Sequence, residues 1–147
     1  MTMHDDIVKF ISKCHVAALS MRDGENLWSF CCFYLFIPYS CALVFLSGED
    51  TLHARLMSRN PGVSGTISRQ TKSVPRIQGV QFKGAGQVTD SVYLRRRYNR
   101  RFPFACMADA ALWTVRLDYV KYTSNIIKFG KKLYWERGDD EITPGSL

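Results

Sequence analysis

The residues best suited to bind an anion lie at positions 50–55, where the chain reads Asp50-Thr51-Leu52-His53-Ala54-Arg55. Asp50 or Thr51 is predicted to cap a helix here. A helix N-terminus exposes backbone N–H groups that favour an anion, and Thr51, His53 and Arg55 add a hydroxyl, an imidazole and a guanidinium. The segment therefore predicts an anion site. A capped surface helix with two solvated cations explains the same residues, and composition alone favours that simpler interpretation.

A second basic segment, Arg95–Arg101, holds five arginines around Tyr98 and Asn99. On a helix with about 3.6 residues per turn they spread over more than one face. They suit either phosphate or nucleic-acid binding, or a solvated helix whose arginines pair with acids, which is the preferred interpretation. The acids available for such pairs are Asp109, Asp139, Asp140 and Glu141.

The charge of the chain is uneven. Residues 1–50 carry three Lys/Arg and six Asp/Glu, whereas residues 51–147 carry seventeen and seven, and the formal net charge is +7. The positive field of the later part suits nucleic acid, phosphate-bearing small molecules or an acidic protein surface, and a count of charges does not choose among them.

No catalytic or metal-binding motif stands out. Gly-x-Ser-x-Gly is absent. The segment Gly84–Thr89 is one glycine short of a dinucleotide fingerprint and lies inside a predicted strand, which makes it a weak signal. The five cysteines show no Cys-x-x-Cys spacing, so we expect reduced, mostly buried thiols rather than a zinc site or a disulfide framework.

The run from Leu27 to Gly48 contains no charged side chain, and its length suits a bilayer-spanning helix. It is rich in aromatic residues, is interrupted at Pro38, and lacks flanking Lys/Arg clusters, which favours strand, turn and strand. We therefore predict two buried strands and no membrane span. The acidic start, Met1–Asp6, lacks the pattern of a signal peptide, so a cytoplasmic protein is expected.

Hydrophobic spacing predicts the elements that position these segments. Helices are expected over residues 4–14, from residue 51 to a stop at 60–62, and from a cap at 89–91 to 101; strands are expected over 15–21, 26–36, 41–47, 63–68, 76–89 and 113–119. Gly84 and Gly86 predict a bend or bulge in the fifth strand. The pattern indicates a mainly β protein, an antiparallel β-barrel with flanking helices. The interior of so small a barrel is filled by side chains, so a ligand would lie outside it or between subunits.

Six motifs, taken in chain order, resemble the YhbP-like bacterial family. They are Phe33–Phe36, His53–Arg55 with Asn60–Pro61, Gly79–Gly84, Tyr98–Pro103, Trp113–Asp118 and Phe129–Lys132. That family belongs to the flavin-binding split-barrel superfamily, which includes pyridoxamine phosphate oxidase. The match covers residues 4–137, which are expected to form a single domain, and leaves 138–147 as a loose C-terminal tail.

The resemblance implies a six-stranded antiparallel split barrel that forms a homodimer, with FMN in a cleft at the subunit interface. In the superfamily a Ser-x-Lys pair meets the FMN phosphate, and Thr51 and His53 stand at its positions here. Arg55 would supply the charge that a neutral imidazole lacks. Cys32 and Phe33 are implied to line the flavin ring through their backbone. Ser47, at the end of the third strand, is implied to lie beside the ring.

Two further contacts, Gln78 and Lys131, are implied to come from the partner subunit. Near the C-terminus, pyridoxamine phosphate oxidases carry an arginine and histidine signature, and the segment Phe129–Leu133 stands in its place here. Oxidation of pyridoxine phosphate is therefore not expected.

The expected function is that of an FMN-binding oxidoreductase, which passes electrons or a hydride between a reduced donor and a small acceptor. One alternative is a non-catalytic basic β-barrel that binds single-stranded nucleic acid through Arg95–Arg101. It is less favoured because the aromatic residues lie mostly in uncharged strands. Another is a different planar cofactor, a deazaflavin or a haem, whose axial ligand would be His15, His53 or His4.

Overall fold

The computed structural model describes residues 2–126 and 128–138. Within them the chain forms eight strands, three α-helices and two short 3-10 helices. In order they are α1 (Asp5–Lys13), β1 (Val16–Asp23), β2 (Asn26–Phe33), β3 (Leu35–Ile37), β4 (Ala42–Ser47), α2 (Leu52–Arg59), β5 (Gly62–Ser68), the 3-10 turn Val74–Arg76, β6 (Gln78–Thr89), α3 (Val92–Arg101), the 3-10 turn Pro103–Met107, β7 (Ala111–Ser124) and β8 (Lys131–Glu136).

The strands form one antiparallel sheet in the order β2-β1-β5-β6-β7-β4-β3. The long strand β7 pairs with β4 along Ala111–Arg116 and with β8 along Tyr119–Ser124. The two ends of the path, β2 and β3, are adjacent in sequence and are joined only by Tyr34. The chain itself, rather than a ladder of hydrogen bonds, therefore closes the barrel. The predicted mainly β, antiparallel split barrel is confirmed.

The predicted count of six strands is wrong, since eight are formed. The strand predicted over 26–36 divides at Tyr34, because the chain changes its pairing partner there from β1 to β4. The strand β8 was not predicted, although Leu133 and Trp135 alternate with more polar residues in it. The pattern of residues in a strand does not show which strand it pairs with. Pairing is what divides β2 from β3 and what places β8 beside β7.

The uncharged run Leu27–Gly48 forms β2, β3 and β4. Strand β4 is buried as predicted, but β2 is not: Leu27 is 76% exposed and Phe33 is 55% exposed. The difference arises because β2 is an edge strand. No α-helix that the structure describes is long and apolar enough to cross a membrane.

Helices α1 and α2 pack their apolar faces into the barrel core, while α3 covers its outside. The core cluster includes Ile7 and Phe10 of α1 and Met57 of α2, whereas Leu94 and Tyr98 of α3 pack in a second cluster against β3, β4 and β7. Each helix begins at a side-chain cap, and the caps of α2 and α3 lie among the residues predicted for them. These caps are His4, Thr51 and Ser91.

The bulge predicted in the fifth strand is present. The register between β6 and β7 shifts between Lys83 and Gly84. A Cβ atom at Gly84 would overlap the carbonyl oxygen of Arg116, so only glycine allows the two strands to approach this closely.

A buried guanidinium ties the turn before β4 to β7. Arg137 Nε donates to Leu117 O at 2.9 Å, and its Nη2 donates to Ser40 O at 2.9 Å and to Cys41 O at 3.2 Å. Its side chain is 8% exposed and lies 3.7 Å from the carboxylate of Asp118. Arg137 therefore satisfies three carbonyls at the end of the barrel. Residues 139–147 of the predicted tail lie outside the described residues.

We expect Arg137→Lys to lower the free energy of unfolding by about 1–3 kcal/mol, because one ammonium cannot replace a planar fork that reaches three carbonyls. Chemical denaturation measures the change. The control is Arg59→Lys, since Arg59 is 68% exposed and pairs with Asp23 at the surface; it should change stability by less than about 0.5 kcal/mol. Equal losses in both variants would contradict the assignment.

Candidate functional site

Thr51 is the residue that caps α2. Its Oγ1 accepts from Ala54 N at 3.2 Å and donates to Gly48 O at 2.8 Å. The first helical hydrogen bond runs from Arg55 N to Thr51 O at 3.1 Å, so the N–H groups of Leu52 and His53 precede the helical ladder. The hydroxyl of Thr51 is already committed to the cap, and the backbone supplies the available donors.

His53 ties the start of α2 to the barrel. Its ring stacks on Phe30 of β2 with centroids 3.6 Å apart and planes 6° apart, and its Nε2 lies 2.5 Å from Ser47 Oγ. The Ser47 hydroxyl is also 3.4 Å from Thr51 Oγ1. The structure therefore brings three of the predicted site residues, Ser47, Thr51 and His53, into one cluster.

Burial lowers the pKa of His53 from its ordinary value. The imidazole is therefore neutral at neutral pH and offers one N–H and one acceptor. Positive charge at this helix start comes from Arg55, which lies in the first turn of α2 and is exposed. Among the residues that the structure describes, no carboxylate forms an ion pair with Arg55.

One edge of β2 is open beside this cluster. Strand β2 pairs with β1 along its full length, from Asn26 to Phe33, and no other described strand pairs with its second edge. Such an edge presents unpaired backbone N–H and C=O groups. Tyr98 covers its end: the Tyr98 hydroxyl donates to Phe33 O at 3.0 Å.

Cys32 and Phe33, which were predicted to line the flavin ring, lie at the end of this open edge. The Cys32 side chain packs against the core, and burial raises the pKa of its thiol to about 12, so the thiol stays protonated at neutral pH. The Phe33 ring lies between His15 and Phe102, with centroids 5.9 Å and 5.6 Å away. Its carbonyl is taken by Tyr98, which leaves the preceding residues to offer free backbone groups.

Gln78 and Lys131 lie in one row of the sheet, on either side of Ser124. Gln78 Nε2 donates to Tyr122 Oη at 3.0 Å, and Gln78 Oε1 accepts from Arg69 Nη1 at 3.4 Å. No hydrogen bond found within the described ranges joins this row to Ser47, Thr51 or His53. The eight predicted residues thus fall into three groups within a subunit: the α2 start, the end of β2, and this row.

Within the described residues, three arginines of α3 contact carbonyl oxygens and a tyrosine, and the predicted pairing with Asp109 is not formed. Arg95 Nη2 donates to Ala110 O at 3.0 Å, Arg101 Nη2 donates to Cys14 O at 3.0 Å, and Arg97 contacts the ring and hydroxyl of Tyr93. In residues 2–126 and 128–138 none of the five pairs with a carboxylate. The acids Asp139, Asp140 and Glu141 lie outside the described residues.

Two residues of the site, Phe30 and Tyr98, were not predicted from the sequence. Phe30 shares a face with Cys32, two positions along the same strand, and that spacing was a usable signal. The contact of Tyr98 with Phe33 joins residues far apart in the chain, and no local pattern indicates it.

Comparison with known proteins assigns the chain to a family. It is 41% identical over 138 residues to a UPF0306 protein from Cronobacter sakazakii, covering 92% of this chain and 96% of the relative. It is 40% identical over 136 residues to UPF0306 protein YhbP from Escherichia coli, covering 89% and 96%. The chain belongs to the UPF0306 (YhbP) family. The resemblance drawn from the six motifs is confirmed, although no protein-family model matches the chain.

Solved structures with the same fold are more distant in sequence from this UPF0306 protein. A FAD-binding protein from Mesorhizobium loti superposes with a TM-score of 0.65 at 14% identity, covering 82% of this chain and 94% of that one. A candidate pyridoxamine 5′-phosphate oxidase from Listeria innocua gives 0.67 at 15%, covering 80% and 95%. The haem storage protein HutZ from Vibrio cholerae gives 0.65 at 16%, covering 80% and 92%. These likenesses establish the split-barrel fold.

We expect the stability of this protein to fall as the pH drops from about 7.5 to about 5.5, partly through His53. The folded pKa of His53 lies below the value of about 6.5 for an unfolded histidine. The unfolded chain therefore takes up the proton first, and stability present above that pH is lost below it. His53→Gln, which cannot titrate, should show a smaller drop in Tm over this range by circular dichroism.

The matched variant for this measurement is Ser47→Ala. It removes the hydroxyl that contacts His53 but leaves the half-buried ring stacked on Phe30. Because burial lowers the pKa, Ser47→Ala should keep the pH dependence of the wild type. The assignment is wrong if His53→Gln and the wild type lose the same number of degrees.

Proposed function

We propose that this UPF0306 protein binds FMN as a homodimer and transfers electrons or a hydride from a reduced donor to a small acceptor. The observation that carries the proposal is the meeting of two sets of free backbone groups at the Phe30–His53 stack. One set belongs to the N-terminus of α2, and the other to the open edge of β2. The fold shared with a FAD-binding protein and a candidate pyridoxamine 5′-phosphate oxidase supports the choice of a flavin.

The start of α2 fits the phosphate of FMN. The N–H groups of Leu52 and His53 favour an anion at this end of the helix, and the exposed guanidinium of Arg55 adds a charge that suits phosphate. Thr51 holds the helix start in place through its two hydrogen bonds. His53 positions the same turn through Phe30 and Ser47, while Arg55 carries the charge.

The open edge of β2 fits a flat ring with hydrogen-bonding groups along its rim. Backbone groups up to Cys32 and Phe33 would orient such a ring, and Ser47 stands between this edge and α2. Bound flavin supplies the redox chemistry. The protonated thiol of Cys32 adds neither a nucleophile nor a charge here, so the chain's role is to bind, orient and exclude water.

The proposed dimer accounts for the residues that lie away from this cluster. Gln78 and Lys131 occupy one row of the sheet and would reach the cofactor of the partner subunit. The outer face of β2 exposes Leu27 and Phe33, and apolar exposure of this kind suits contact with another protein surface. We also propose that residues 4–137 form a single domain and that the protein is cytoplasmic.

Purified protein should hold FMN. We expect a flavin absorption spectrum, present at once or after incubation with FMN, to travel with the dimer peak in gel filtration, and the released chromophore to be FMN. The same titration with haem separates the cofactors, since His53 is engaged by Ser47 and His4 caps α1. A protein that fails to retain FMN at micromolar concentration, or that binds only haem, would overturn the proposal.

Arg55→Gln should weaken FMN binding about tenfold, because it removes one charged contact to phosphate. Arg59→Gln is the control: it lies one turn further along α2, carries the same charge and pairs with Asp23, and it should change FMN binding less than about twofold. Fluorescence titration measures both variants.

Riboflavin, which lacks the phosphate, completes the design. Arg55→Gln should leave riboflavin affinity unchanged, because the ring is held by β2 rather than by α2. An equal loss for riboflavin and FMN, or equal losses in Arg55→Gln and Arg59→Gln, would show that the FMN phosphate does not bind at the start of α2.

A further inference from the structure

A cavity of 760 Å³ lies between α1 and the outer face of β1, β2 and β5. Its lining contains none of the residues at the start of α2. Cavities of about 300–1,000 Å³ commonly hold small molecules. This one has the size of a ligand site and lies away from the start of α2. It shares Gln78 and the outer face of β2 with the proposed subunit contact, so the competition with FMN described below decides whether the two sites are separate.

The walls of the cavity carry unbalanced positive charge. Lys9 and Lys13 line it from α1 and Arg69 lines it from the end of β5, whereas Asp6 is the carboxylate on its walls. Asp6 lies 3.8 Å from His4 Nδ1, and no ion pair of Lys9 or Lys13 is found in the described part of the chain. Two lysines four residues apart on a helix repel each other. An anion in the cavity would relieve that repulsion.

The floor of the cavity is apolar and aromatic. The rings of Phe10 and Tyr122 meet there with centroids 5.4 Å apart, and both side chains are buried. Small side chains of the sheet, including Ala18 and Cys31, leave room above them. The Tyr122 hydroxyl accepts from Gln78 Nε2 at 3.0 Å.

We propose that this cavity is a second ligand site, which takes an aromatic anion. The flat body of the ligand packs against Phe10 and Tyr122, and its acidic group lies between Lys9 and Lys13, with Arg69 on the opposite wall. The inference stands on these residues and does not require that flavin binds elsewhere in the protein.

Two fluorescent probes with the same rings test this site on the full-length protein. One is 8-anilinonaphthalene-1-sulfonate, an aromatic anion, and the other is N-phenyl-1-naphthylamine, which lacks the sulfonate. We expect the anion to bind more tightly. The double variant Lys9→Gln/Lys13→Gln should weaken the anion about tenfold and leave the neutral probe unchanged.

The charge-matched control is Lys72→Gln/Lys132→Gln. Both of its lysines are exposed and neither lines the cavity, so anion affinity should change less than about twofold. Equal losses in the two double variants would mean that net charge attracts the probe, and no selective site exists. Absence of saturable binding to the wild type would also overturn the proposal.

Competition with FMN separates this proposal from the flavin proposal. Lys9→Gln/Lys13→Gln should keep the FMN affinity of the wild type, and Arg55→Gln should keep its affinity for the anionic probe. If FMN displaces the probe competitively and both variants lose both ligands, the cavity is part of the flavin site and the second site is refuted. If FMN does not bind but the probe result holds, the flavin proposal is refuted and the proposal of a site in the cavity stands.

Discussion

The crossing of the chain at Tyr34 is the constraint on which the rest of the structure depends. The Tyr34 N–H donates to His15 O at 3.0 Å, and its hydroxyl donates to Ile11 O at 2.7 Å. At this residue the chain leaves its pairing with β1 and begins to pair with β4. Burial raises the pKa of the Tyr34 phenol, so the hydroxyl remains a donor throughout the physiological range. Because covalent continuity closes the barrel here, one edge of β2 stays without a partner strand.

The open edge gives the start of α2 its importance. Helix N-termini with free N–H groups are common, and a capped surface helix was a sufficient explanation of Thr51 and Arg55 in the sequence. In the fold the same turn is fastened to the open strand through Ser47, His53 and Phe30. The stacked ring is half-buried and its pKa is lowered by that burial, so the folded state loses stability as the pH falls. The geometry of this site is therefore coupled to protonation of a single imidazole.

Local patterns predicted the elements well and their partners poorly. Alternation placed the strands of the barrel, the caps placed the helices, and Gly84 marked the bulge, since each of these depends on neighbours in sequence. The break at Tyr34 and the exposure of β2 depend on which strands pair with this part of the chain. The uncharged run Leu27–Gly48 indicates neither. At the site, Ser47 and His53 are six residues apart; His53 was indicated by its place near a helix start, whereas Ser47 was found through the family resemblance alone. The stack of Phe30 on His53 joins two separate elements, and the residue types alone could not indicate it.

The placement of the cations explains why a count of charges could not choose a ligand. Residues 1–50 are acidic in total, yet they contribute Lys9 and Lys13 to the cavity wall, because α1 places both on one face. The later part of the chain holds most of the arginines, yet α3 directs several of them to carbonyl oxygens and to the ring of Tyr93. Arg55 stands apart from both groups, at the open edge. These cations thus lie on three separate helices, α1, α2 and α3, rather than in one stripe along a single element. A continuous polyanion binds along a stripe of cations and releases its counterions there. A small aromatic ligand with one phosphate or sulfonate group needs one well-placed cation and a surface for its ring. The separate placement of these cations is the reason for proposing small anionic ligands rather than nucleic acid.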